Sequence, residues 1–305
     1  MLNTIKSNYM HIIHHYQVAT HNFSISAESD SFLWERMRGC YGPFEIDPAG
    51  DPRFALQVVD KVNPDGVELV YSNRDDVEPG FIALNVYRSP EGHFFEITQP
   101  SSDQVNGRLF VDSSLSQARL CLSGTGIQQW LTFTAAVDFC FLLSTACHDT
   151  LLMHASAVIY EGYAYLFLGK SGTGKSTHSR MWLETLEGAE LMNDDHPVLR
   201  VESDGTVVAY GSPWSGKTPC YKNMKAPVGG IIRIARAPYN QAVRLSPFQA
   251  YASLLTSSSG MTWERELADG RDNTLQKIAS CVPCWKMECL PDHAAAYVCA
   301  DAVVV

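Results

Sequence analysis

Basic residues are in short supply: 23 Lys and Arg stand against 33 Asp and Glu, a formal net charge of −10. A duplex-binding surface neutralises phosphates with a basic excess, so nucleic acid is not an expected partner. Long apolar runs are equally scarce. The longest, Trp130–Cys147, is broken by Asp138 and carries three Thr and one Ser, which suits a buried helix better than a membrane span. The start, MLNTIKSNYMHIIHHYQV, lacks the charged-then-apolar pattern of a secretory leader. Nine cysteines without such a leader lead us to expect reduced thiols in a cytoplasmic protein with no membrane partner. Repeats and low-complexity tracts are absent too. What remains is a 305-residue chain, 46% hydrophobic and 18% charged, able to bury two modest cores or one large one.

The first 123 residues read as a small α+β domain. FALQVVD (54–60), GVELVYS (66–72), FIALNVYRS (81–89) and HFFEITQ (93–99) are strand-like and separated by turn signals such as NPDG and SPEG. A helical stretch, SDSFLWERMRGCYG, precedes them. His11, His14 and His15 could ligate a metal, but in a terminal strand they read as ordinary polar residues. Gly124 and Gly126 mark a break, and residues 124–305 form the second expected domain, with the apolar helix packed into it. Two apolar runs, Met153–Tyr160 and Tyr163–Leu168, are joined only by Glu161-Gly162. Two residues cannot make a parallel crossover, so a hairpin and hence a mixed sheet are predicted.

That hairpin runs straight into LFLGKSGTGKSTHSR (166–180). Gly169-Lys170-Ser171-Gly172-Thr173-Gly174-Lys175-Ser176 fits the phosphate-loop pattern G-x-x-x-x-G-K-[ST] at every fixed position. The glycines let backbone N–H groups turn inward on a phosphate, with Gly169, Ser171, Gly172, Thr173, Gly174, Lys175, Ser176 and Thr177 as nucleotide-binding candidates. Lys175 suits the β/γ oxygens and the Ser176 hydroxyl suits Mg²⁺. Next, AELMNDDHPVLR (189–200) reads as a short strand ending in Asp194 and Asp195. Hard cations take oxygen ligands, so one acid can serve the metal while the other accepts a proton from an attacking hydroxyl. Alone, Asn-Asp-Asp would equally suit a solvated turn; the loop nearby favours a site. Asp194 follows Lys175 by only 19 residues, room for one helix and one strand.

These features together resemble the HPr kinase/phosphorylase group, whose kinase domain is similar in fold to ATP-dependent phosphoenolpyruvate carboxykinase. The HPr kinases place a histidine 15 residues before the first loop glycine, as His154 stands before Gly169, and they carry an Asp pair shortly after the loop helix, matched by Asp194-Asp195. The carboxykinases share SGTGK and an Asp-Asp-Glu-His run, of which DDHP is a partial match. The resemblance covers roughly residues 150–235. The glycine-rich stretch that follows the Asp pair in HPr kinases is missing, and YGSPWSGKTPCYKN stands in its place; the chain is also too short for a full carboxykinase. The resemblance implies a phosphoenolpyruvate carboxykinase-like P-loop kinase domain with a mixed sheet. It implies ATP and Mg²⁺ as cofactors and a protein or peptide hydroxyl, of Ser or Thr, as acceptor. Ser176 and Asp194 would serve the metal, Asp195 would act as general base, and His154 would assist, with Lys175 on the phosphates. A nucleotide sensor or scaffold without transfer, and a small-molecule kinase acting for example on free serine, are the alternatives, and a homo-oligomer is compatible with either.

Other groups carry less. GSPWSGK (211–217) reads equally as a substrate loop, with Lys217 toward a phosphate, or as a turn anchored by Trp214. Arg233, Arg236 and Arg244 are candidate cations for the γ-phosphate. Cys281, Cys284, Cys289 and His293 have the order of a small zinc site, but CWKMEC alternates like a strand, favouring half-buried thiols.

Overall fold

A computed structural model describes residues 10–75, 77, 81–100, 102–216 and 218–304. The chain is mixed α/β, with two large mixed sheets and six α-helices among the described residues. It divides into two compact units, Met1–Gln17 with His21–Ser144, and Val18–Thr20 with Thr145–Val305.

The first unit holds strands β1 (His11–Val18) and β2 (His21–Glu28), helix α1 (Leu33–Cys40), and strands β3 (Glu45–Ile46), β4 (Phe54–Val58), β5 (Glu68–Ser72), β6 (Ala83–Ser89), β7 (Gly92–Thr98), β8 (Gly107–Asp112) and β9 (Gln117–Leu122), then helix α2 (Gly126–Thr145). The order is β3-β1-β2-β4-β9-β8-β7-β6-β5, with β4 parallel to both neighbours. The four strands and the helix read from the sequence are present, but nine strands make a larger sheet than that reading implies.

Helix α2 packs in this unit, not in the second as its position after the glycine break suggests. Phe133, Val137, Cys140, Phe141 and Ser144 recur at helical spacing and are buried. Phe141 meets Phe23 edge-on at 6.5 Å, Phe139 stacks on Phe95 at 5.9 Å, and Gln99 Nε2 donates to Thr132 Oγ1 at 3.0 Å. No helix of the described residues is long and apolar enough to cross a membrane.

The second unit adds β10 (Thr150–Leu152), β11 (Ala155–Tyr160), β12 (Tyr163–Leu168), α3 (Lys175–Thr185), β13 (Glu190–Asp195), β14 (Val198–Val201), β15 (Val207–Tyr210), β16 (Lys225–Arg236), β17 (Gln241–Arg244), α4 (Pro247–Leu255), α5 (Arg265–Cys281), β18 (Cys284–Cys289) and α6 (His293–Val303). The predicted hairpin is there. Strands β11 and β12 are antiparallel from Ala155↔Leu168 to Tyr160↔Tyr163. Glu161 (φ 48°) and Gly162 (φ 83°) both take the left-handed conformation that a two-residue hairpin turn favours. Because β12 is parallel to β16, and β16 to β18, the sheet is mixed.

Alternation along β12 builds two cores. Ala164, Leu166 and Leu168 point to the face covered by α4 and α5, while Tyr165 and Phe167 join Met181 and Trp182 of α3 and Ala295 and Cys299 of α6. Apolar residues on both sides of a strand are what a sheet with helices on both faces requires.

Candidate functional site

Strand register brings the chemistry together. Asp195 pairs with Ala155, Ala155 with Leu168, and Leu168 with Arg233, so one row across the sheet carries the acid turn, the strand after His154, the last residue before the loop, and an arginine. The loop thus leaves the carboxyl end of β12 beside both His154 and the Asp pair.

Two loop glycines explain why the loop can turn: Gly172 (φ 78°) and Gly174 (φ 112°) occupy backbone conformations that side-chain-bearing residues rarely adopt. Gly174 is the N-cap of α3, and its carbonyl accepts the His178 N–H at 2.8 Å. Lys175, the first residue of the helix, is buried. Its Nζ donates to the Gly169 carbonyl at 3.0 Å and lies 2.8 Å from His154 Nε2. Burial lowers the lysine's pKa, a shift opposed by the charges of Asp195 and Asp194. Ser176 is exposed at the mouth.

His154 is the centre of this arrangement. Its backbone N–H is anchored on the Ser257 carbonyl at 2.7 Å, and its Nδ1 lies 3.1 Å from Asp195 Oδ1. An ammonium can only donate, so Nε2 is the acceptor and Nδ1 carries the proton toward Asp195. Burial pushes the Asp195 carboxyl up. The hydrogen bond from His154 and the charges of His196 and Lys175 outweigh it, and the group is held below the usual carboxylate range. Asp195 is therefore ionised at neutral pH.

Asp194 differs. It is buried, and it faces Lys175, whose ammonium feels its charge. Its carboxylate and the Ser176 hydroxyl are oxygen donors of the kind that a hard divalent ion takes. His154, Asp195 and His196 also bring one ligand atom each within 4.8 Å of one another, although the histidine–carboxylate hydrogen bond already uses two of those residues.

Sequence reasoning treated Asn193 only as a turn former. It is fully buried and organises the acid turn. Its Oδ1 accepts the N–H groups of Asp195 (3.0 Å) and His196 (2.9 Å), while its Nδ2 donates to Ser212 Oγ (3.1 Å) and the Trp214 carbonyl (3.0 Å). Ser212 Oγ in turn donates to the His196 carbonyl at 2.6 Å. The signal available was the Asn directly following the apolar pair Leu191-Met192, a position where a buried amide must find partners. The 211–216 segment is consequently packed onto the acids. Gly216 N donates to the Asp194 carbonyl at 3.1 Å, and a Cβ at Gly216 would stand 2.8 Å from that oxygen. Trp214 is buried, as the anchored-turn reading requires, and Lys217 lies outside the described residues.

No protein-family model and no curated protein matches the chain. The reading of the site therefore rests on its own geometry.

The remaining candidates separate. Arg236 donates to the Gly172 carbonyl of the loop, Arg233 Nη1 to Thr256 Oγ1 at 2.9 Å, and Arg244 lies over the Trp285 ring at 5.4 Å. Only Arg236 of the three touches the loop. Cys284 and Cys289 point into opposite cores of the second unit, Cys281 is exposed, and His293 Nε2 pairs with Glu184 Oε2 at 3.3 Å, so the zinc-like order is not a cluster. His14 bonds Glu45 Oε1 at 2.5 Å and packs on Trp34, which accounts for it without a metal.

Proposed function

We propose that the second unit is an ATP-dependent phosphotransferase, passing the γ-phosphoryl group to a hydroxyl, that of a Ser or Thr in a protein or peptide. The observation that carries the proposal is the hydrogen-bonded chain Lys175–His154–Asp195, which links the phosphate loop to an ionised carboxylate. A loop that only bound phosphate would need the lysine; it would have no use for a histidine holding a second acid beside it.

In this reading the amides around Gly172 and Gly174 and the Lys175 charge hold the β- and γ-phosphates, replacing water by fixed donors. Ser176 and Asp194 would hold Mg²⁺, which supplies neutralisation of charge on the phosphate oxygens. Asp195 takes the proton of the acceptor hydroxyl. His154 keeps Asp195 oriented through Nδ1, and Asn193 fixes the backbone from which Asp195 projects. Arg236, already bonded to the loop, is a second cation available beside Lys175 for charge that develops in transfer.

The test is transfer of labelled phosphate from ATP to a panel of Ser- and Thr-containing peptides and free serine, with MgATP binding measured in parallel. Label on a hydroxyl, lost in Asp195→Asn, supports the kinase. Tight MgATP binding with no label on any acceptor supports a sensor instead. That second reading has one observation in its favour: Lys175 and the Gly172 carbonyl are satisfied by protein groups, so a ligand would have to exchange those partners.

A further inference from the structure

Beside the loop, and sharing part of it, lies a cavity of about 260 Å³. Its floor is the start of α3, with Thr173, Gly174 and Thr177. Its walls are the carboxyl ends of two strands parallel to β12: Ile234 and Ala237 at the end of β16, and Leu290 and Pro291 just past β18. Parallel strands open their carboxyl ends into a crevice, and in such sheets that crevice is where ligands bind.

We infer that this cavity receives the heteroaromatic base of the nucleotide whose phosphates lie on the loop. The inference rests on the proposed function and adds to it the residues that recognise the other end of the ligand. Three observations lead to it. First, the cavity and the loop share Thr173 and Gly174, so the two spaces adjoin and a single molecule can reach both. Second, the volume lies below the ~300–1,000 Å³ of pockets that enclose a whole drug-sized ligand, and a planar base is the part of a nucleotide that fits. Third, the lining is apolar with a few polar groups, the composition that takes a flat ring with a polar edge. Met181 offers a polarisable thioether to a ring, and Arg236, bonded to the loop at Gly172, stands where phosphate site and cavity meet. His178 lines the same cavity, is 1% exposed, and has neither ring nitrogen hydrogen-bonded. A buried imidazole with no partner is costly for folding alone; beside a base it has a group to meet.

The experiment compares MgATP with magnesium tripolyphosphate, which carries the phosphates and no base, by calorimetry on the full chain. The variants are Ala237→Trp and Leu290→Trp, each of which places an indole in the cavity. Leu290 is 37% exposed, so its replacement is tolerated by the fold even if Ala237→Trp is not. The wild type should bind ATP at least about tenfold more tightly than tripolyphosphate, the return for burying a ring. Either variant should bring ATP down to the tripolyphosphate level while tripolyphosphate affinity stays within about twofold. Unchanged ATP affinity in folded Leu290→Trp overturns the assignment, and so does equal wild-type affinity for the two ligands; binding lost on Lys175→Ala would in both cases leave the loop reading standing. If the wild type binds neither ligand, the loop reading falls and takes this inference with it.

Discussion

Replacing Asn193 by alanine should be among the most damaging single changes in the second unit, although the residue reaches no ligand. The side chain accepts from two backbone N–H groups and donates to Ser212 Oγ and the Trp214 carbonyl. Each buried group left without a partner costs about 1–3 kcal/mol. Asp195 and His196 are only partly buried and recover some of that from water, which argues for the lower end of the range. A loss of about 3 kcal/mol for the whole set is the reasoned figure. The assay is urea unfolding of wild type, Asn193→Ala, Ser212→Ala and the double variant, read as a shift of midpoint at constant slope. Because Ser212 bonds both Asn193 and the His196 carbonyl, the two losses should overlap, leaving an interaction energy of about 1 kcal/mol in the double-mutant cycle. Asn193→Ala should also weaken phosphoryl transfer more than MgATP binding, since it frees the backbone that aims Asp195. An Asn193→Ala shift below about 0.5 kcal/mol, or strict additivity with Ser212→Ala, would refute the clamp.

Lys175→Ala should weaken MgATP binding by about 1–3 kcal/mol through lost charge-assisted hydrogen bonds, and unchanged affinity by calorimetry would show that the loop is not used as argued. Asp195→Asn should keep MgATP bound while transfer falls by ~10²–10⁴-fold, whereas Asp194→Asn should raise the Mg²⁺ requirement; full transfer by Asp195→Asn would remove it as the base. His178 predicts a pH effect on the ligand-free protein. Burial lowers its pKa from 6.5 to about 4, so the unfolded chain takes up this proton first on acidification. Its contribution is therefore complete above pH ~6.5 and is lost as pH falls toward 4, to a total of about 3 kcal/mol. His178→Phe should flatten that part of the stability–pH curve, and a profile with the wild-type slope would rule His178 out as its source.

The local chemistry of the site was legible because it is written in short stretches. The loop, the two-residue turn at Glu161-Gly162 and the Asp pair each declare themselves within a few residues. The sequence also indicates that His154 belongs with them, though only through its spacing from Gly169. What stayed hidden depends on residues far apart in the chain. The fit of α2 onto the first sheet is decided by Phe23 and Phe95, and a helix apolar on several faces does not say which unit it will cover. The use of Asn193 is decided by Ser212 and Trp214, roughly twenty residues later, and a polar residue in a strand does not name its partners. The size of the first sheet was missed for a related reason: β2 and β9 both join it by parallel pairing with β4, Phe23↔Phe54 and Ala55↔Gln117, and weak strand signals become definite only when such distant neighbours are known.

The hairpin turn has a consequence for how this chain can change over time. Residues face alternate sides of a sheet, so a slip of one position between β11 and β12 would carry the segment after His154 to the wrong place relative to Gly169 and turn its neighbours inside out. There is no intermediate register that keeps His154 beside both Lys175 and Asp195. A one-residue insertion between Glu161 and Gly162 must either be expelled as a bulge, leaving the placement of His154 whole, or propagate and undo it. Variation in this protein should accordingly collect in segments that no strand pairing spans, and lineages that lengthen the hairpin should do so in even steps.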